Sequence, residues 1–102
     1  MSVTVIAKIT PQPEHRDAVK AAILQAIPAV HEEPGCELYS LHETRDGFFM
    51  VEKWASADAL GVHGKAPALT ELGQRIGTML AAPLDVNVAT PVPAGQPNLG
   101  EI

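Results

Sequence analysis

Seven residues, Phe48 to Trp54, constrain the fold of this chain more than any other stretch, because bulky apolar side chains stand on both of their faces. Asp46-Gly47 just before them is a strong two-residue hairpin signal, so the run reads as a strand returning antiparallel to its predecessor. Alternation then puts Phe48, Met50 and Trp54 on one face and Phe49 and Val51 on the other. A sheet with one covered face shows polar residues to water on the other; two apolar faces require two covers. Helices supply one cover, and a second sheet from another copy of the chain is the simplest source of the other.

The remaining elements follow from periodicity. Val3, Val5, Ala7 and Ile9 alternate with Thr4, Ile6, Lys8 and Thr10, a period of two that marks a first strand. Pro11 and Pro13 stop it, and Glu14 and Asp17 place acidic charge at the positive end of a following helix. That helix is expected to run to about Glu33 on the stripe Val19, Ala22, Ile23, Ala26, Ile27 and Val30, with Pro28 bending it against the carbonyl of Leu24. Pro34-Gly35 ends it, and Cys36 to Arg45 reads as a second strand. Ser56 caps a short helix through His63, Gly64 to Pro67 breaks it, and Leu69, Leu72, Ile76, Met79 and Leu80 form the stripe of another. After Pro83, Leu84, Val86 and Val88 alternate with Asp85 and Asn87 as a fourth strand. The order β-α-β-β-α-α-β is an α+β, ferredoxin-like split βαβ arrangement with an antiparallel sheet. It occupies residues 1–90; residues 91–102 carry Pro91, Pro93, Gly95, Pro97 and Gly100 and read as a loop or frayed tail.

Composition narrows the function classes. Seven Lys and Arg against twelve Asp and Glu leave a net charge of −5, and no basic run interrupts the chain, which argues against nucleic acid as a partner. The single cysteine, Cys36, forms no internal disulfide and fits a reducing compartment. No charged leader precedes the first apolar run and no eighteen apolar residues occur in succession, so the expectation is a cytoplasmic protein without a membrane partner. Four scattered histidines make no HxH or HExxH spacing, and neither a Gly-rich phosphate loop nor a dinucleotide fingerprint occurs. At 102 residues, roughly two-thirds of the unfolded chain's surface can be buried, which favours oligomers over a deep private pocket.

Glu33-Pro34-Gly35-Cys36 followed by Tyr39 and His42, then Glu52-Lys53-Trp54 with Ala59-Leu60 and His63, and finally the Pro83 strand, resemble the antibiotic biosynthesis monooxygenase family. The resemblance covers about Val3 to Ala89. It implies a dimeric α/β barrel: a homodimer whose sheets face each other, with a pocket in each subunit between sheet and helices. Some members of the family oxidise quinols or polycyclic phenols without metal or flavin, others degrade haem, and some are isomerases. Trp54 and His63 resemble the Trp and axial His of the haem-degrading branch, but that branch has an Asn on strand one, and none occurs from Val3 to Thr10. The resemblance therefore implies no cofactor here.

Five residues are candidates for the site. Glu52 and Trp54 share a face of one strand, where a carboxylate beside an indole donor would orient a phenolic or enolic substrate. The structural alternatives are an interface pair of Glu52 with Lys or Arg, and Trp54 as a core or dimer anchor. His63, at its helix end, has the chemistry to accept a substrate proton at neutral pH; the alternative is a histidine bonding free helix carbonyls. Tyr39 and His42 fall on opposite faces of strand two, so at most one of them meets a given substrate pocket. His42 also reads as a surface residue, and His15 and His31 as solvated. Cys36 has no basic cluster beside it and reads as a small packed residue.

Together these point to a cofactor-independent monooxygenase acting on a small aromatic or quinol-type substrate with O2, His63 taking the proton and Trp54, Tyr39 and Glu52 shaping the pocket. Two alternatives stay open: an isomerase of a small carbonyl compound, and a catalytically silent binding or assembly domain.

Overall fold

A computed structural model describes residues 2–102. Its sheet has the order β2-β3-β1-β4, in which β1 is Val3–Ile9, β2 Cys36–Glu43, β3 Phe48–Trp54 and β4 Asp85–Ala89. Every neighbouring pair is antiparallel. Three helices connect the strands: α1 (Arg16–His31), α2 (Ala57–Lys65) and α3 (Pro67–Ile76). This is the ferredoxin-like α+β arrangement with an open sheet. No described helix is long and apolar enough to cross a membrane.

One face of the sheet meets the helices. Val5, Ala7 and Ile9 of β1 and Phe48, Met50 and Trp54 of β3 are buried there against Val19, Ala22, Ile23 and Val30 of α1 and Leu72 and Ile76 of α3. The opposite face is less polar than a solvent face alone requires: Ile6 is 40% exposed, and Leu38, Phe49 and Val51 are half-buried.

Several boundaries differ from the pattern-based expectation, each for a local reason. A 3-10 turn, Pro13–His15, precedes α1, which stops at His31, so that Glu33 falls in the connecting turn. Pro28 sits inside α1 on its exposed side, where water reaches the carbonyl of Leu24 that loses its helical partner. The hairpin turn is centred on Arg45-Asp46 rather than on Asp46-Gly47: the Thr44 N–H donates to the Gly47 carbonyl at 2.8 Å, and the Gly47 N–H donates to Thr44 Oγ1 at 3.1 Å. Glycine is needed at 47 because a Cβ would come within 2.3 Å of the Ile9 carbonyl oxygen. β2 consequently ends at Glu43, two residues short of Arg45.

Helix α2 extends past His63 and Gly64 to Lys65. Ser56 Oγ caps it by accepting from the Ala59 N–H at 3.1 Å, and Ala66, held extended by the following Pro67, ends it. β4 begins at Asp85, and all its residues are exposed, including Val86 and Val88 on the helix side of the sheet. Beyond it, residues 90–102 form neither helix nor strand.

Candidate active site

The site assembles around a turn. Gly35 has φ +80°, a left-handed conformation that favours glycine, and a Cβ at this position would lie 2.6 Å from that of Ala59. The bare backbone lets the start of α2 close onto the turn, with the Ala55 N–H donating to the Gly35 carbonyl at 2.8 Å. Docking α2 in this way brings His63, near the end of that helix, over Glu33, which lies two residues before Gly35.

His63 is 4% exposed, and its Nδ1 lies 2.8 Å from Glu33 Oε1. A carboxylate oxygen only accepts, so Nδ1 carries a proton, and in the neutral ring the lone pair falls on Nε2. Nε2 lies 3.8 Å from Glu52 Oε1. The second oxygen of Glu33 is buried without a hydrogen-bond partner among the described residues. Glu33 is thus a site residue that the spacing of histidines and strand carboxylates did not reveal. The available clue was an acidic residue immediately before a Pro-Gly turn, whose glycine marks a close approach.

Glu52 and Trp54 do share the helix-side face of β3, but they spend their polar atoms on each other. The indole Nε1–H of Trp54 donates to Glu52 Oε1 at 2.9 Å, and Trp54 is fully buried with its ring stacked on His63, centroids 4.4 Å apart and planes 27° apart. Trp54 therefore has no donor left for a substrate, and it holds Glu52 and His63 in place instead. Glu52 faces neither Lys nor Arg: its neighbours are Trp54 and His63. Burial pushes its carboxyl above the ordinary range, while the Trp54 hydrogen bond and the His63 charge pull it back and Glu33 adds to the rise.

Tyr39 reaches the same face through a bulge in β2. Cys36 pairs with Trp54 and Leu38 with Lys53, so the register slips by one, and Tyr39 pairs with Glu52 on the helix side. Its ring meets His63 edge-on at 5.5 Å and Trp54 at 6.5 Å. Burial and the nearby carboxylates of Glu52 and Glu33 raise its hydroxyl, which stays protonated as a donor. His42 is not brought to this cluster. It lies on the opposite face, exposed and paired with Phe49, with its Nδ1 3.2 Å from the Ser40 carbonyl oxygen. His31 is exposed, yet its Nε2 lies 3.0 Å from the Tyr39 carbonyl oxygen, tying α1 to β2. Cys36 is half-buried, and burial, followed by Glu33 and Glu52, raises its thiol, which disfavours the thiolate a nucleophile needs.

These side chains close one end of a cavity of about 400 Å³ between the sheet and helices α2 and α3. Tyr39, Glu52 and His63 line it, with Val5, Ala7, Met50, Leu60, Leu72 and Ile76 among its apolar walls; Trp54 and Glu33 stand behind it. The volume falls within the roughly 300–1,000 Å³ usual for small-molecule sites. A carboxylate-oriented imidazole beside an apolar cavity, with a second carboxyl and a phenol in reach, is equipped to take a proton from a weakly acidic O–H or C–H and return it.

Known proteins place this geometry. The family model for antibiotic biosynthesis monooxygenase matches residues 2–74, well over half of the chain. The chain belongs to that family. Rv0793 of Mycobacterium tuberculosis (strain ATCC 25618 / H37Rv), which carries a provisional monooxygenase name, is 34% identical over 92 residues, spanning 88% of this chain and 91% of the relative. The solved structure of Rv0793 superposes with a TM-score of 0.86 at 31% identity, covering 94% of this chain and all of that one. PA3566 from Pseudomonas aeruginosa has a TM-score of 0.79 at 25% identity, covering 86% and 91% of the two chains. A conserved protein from Methanosarcina mazei Go1 shares the fold alone, with a TM-score of 0.81 at 20% identity over 87% and 91%. These solved structures keep one scaffold while their sequences diverge, and chemistry has to be argued from the cavity itself.

Proposed function

We propose that the protein is a cofactor-independent monooxygenase for a small aromatic or quinol-type substrate. The observation that carries the reading is the buried His63, oriented by Glu33 at 2.8 Å and lining an apolar cavity beside Glu52. Family membership as an antibiotic biosynthesis monooxygenase supports the reaction class.

In this reading the substrate hydroxyl donates its proton to His63 Nε2, and the imidazolium is stabilised by Glu33. Tyr39 donates to the developing oxyanion. The phenolate or enolate passes one electron to O2, and the radical pair combines to a carbon-bound peroxide. His63 returns its proton to the outer peroxide oxygen. The O–O bond breaks as the same carbon loses its hydrogen to become a carbonyl, that hydrogen completing the water. One oxygen atom stays on the substrate and the other leaves as water. For a quinol the balance is quinol plus O2 giving hydroxyquinone plus water, all electrons coming from the substrate. The apolar walls keep water from the proton transfer and raise the strength of the Glu33–His63 contact.

Oxygen uptake with a panel of hydroquinones tests the proposal: stoichiometric consumption supports it. Proton exchange on a carbonyl compound without oxygen uptake would instead make the protein an isomerase, and neither activity would leave a binding domain.

The second cover for the sheet belongs to the same proposal. Ile6, Leu38, Phe49 and Val51 lie on the face away from the helices, and we propose that a second copy covers them as a homodimer, in the size class of roughly 2,000 Å² or more that obligate interfaces bury. Light scattering at micromolar concentration is expected to give about twice the 10.8 kDa of one chain. A folded monomer at that concentration would contradict it.

A further inference from the structure

The cavity is polar at one end only. Tyr39 pairs with Glu52, and Glu52 pairs with Val5, so the hydroxyl-binding end sits over the Val5 row of the sheet. From there the cavity floor runs along β1 through Ala7 to Ile9, roughly 13 Å at about 3.3 Å per residue. β4 widens this floor toward solvent: Val88 lies beside Val5 and Val86 beside Ala7, and they are 62% and 56% exposed. Among the described residues, no Lys, Arg or Asp lines the cavity. A charged substituent on a substrate would lose its hydration against aliphatic walls without gaining a counter-ion, whereas an apolar one gains by leaving water.

We propose that the substrate is an uncharged phenol or quinol bearing an extended apolar substituent, its hydroxyl at His63 and its substituent laid over Ala7 and Ile9 and out against Val86. The inference rests on the reading that a hydroxylated ring sits at His63, and it adds the shape and charge of what that ring carries. The exposed Val86 of β4 becomes the place where the substituent leaves the cavity.

Calorimetric titration of the full chain with phenol, 4-ethylphenol, 4-pentylphenol and 4-nonylphenol tests it without requiring turnover. Affinity is expected to climb roughly fourfold per methylene buried and to level off once the chain outruns the slot. Val86→Asp, at an exposed position of the slot, is expected to flatten the chain-length series, weakening 4-pentylphenol and 4-nonylphenol far more than phenol. Val62→Asp, an exposed site on α2 that does not line the cavity, should change neither. Overturning results are an affinity independent of chain length, no binding of any phenol, or a Val86→Asp protein that keeps the series intact but changes its oligomeric state, which would show a second copy covering β4. Chain-length-dependent binding without oxygen uptake from the matching alkylhydroquinones would sustain the slot and remove the monooxygenase reading.

Discussion

Replacing His63 by Ala is expected to lower turnover roughly 10²- to 10⁴-fold, the range for a positioned general base, with a smaller change in substrate binding. The expectation rests on the pairing with Glu33 at 2.8 Å, which fixes the tautomer and leaves Nε2 as the acceptor. His63 is also buried against Trp54, so truncation opens a void. His63→Gln, which fills more of that space but is no base, serves as the second variant and is expected to share the loss. Both comparisons belong on protein shown to be folded by circular dichroism. Near wild-type turnover in a folded His63→Ala protein would make His63 a packing residue and move the base elsewhere.

The second large effect falls on stability. Trp54 is fully buried, and Trp54→Ala is expected to cost about 3–5 kcal/mol, a large share of the ~5–15 kcal/mol of a typical domain. Trp54→Phe separates packing from the hydrogen bond, because it keeps a ring and deletes the donor to Glu52. That donor favours the ionised form of a carboxyl which burial already holds above its ordinary range. With the donor gone the folded-state value rises further. A carboxyl raised on folding binds more protons in the native state than in the unfolded one, so its contribution is complete below the unfolded value and is lost as pH climbs through the folded value. The deficit of Trp54→Phe relative to wild type is therefore expected to be larger at pH 7 than at pH 4, measured by urea denaturation at both. An equal deficit at the two pH values would separate Trp54 from the ionisation of Glu52.

Much of this was legible in the chain because it follows from period. The strands and helices, the sharing of one face by Glu52 and Trp54, and the separation of Tyr39 from His42 all come from counting residues along a pleat. What escaped was set by contacts between distant elements. Glu33 and His63 are thirty residues apart and meet only because Gly35 allows α2 to close on the turn. Spacing put an indole beside a carboxylate, but it carried no information on whether that N–H served the substrate or Glu52. The hairpin turn was displaced by one residue because Gly47 answers a close approach to the Ile9 carbonyl rather than a left-handed backbone. The bulge at Cys36/Leu38 has no signature in the alternation of β2, yet it sets which face Tyr39 shares with Cys36.

The most direct measurement of the central claim is a single-turnover reaction of the protein with an alkylhydroquinone under labelled dioxygen, followed by mass spectrometry. The account predicts one labelled oxygen atom in the organic product, the other in water, and loss of both in His63→Ala. Product formed at the same rate under argon, or oxygen drawn from solvent instead of dioxygen, would contradict it.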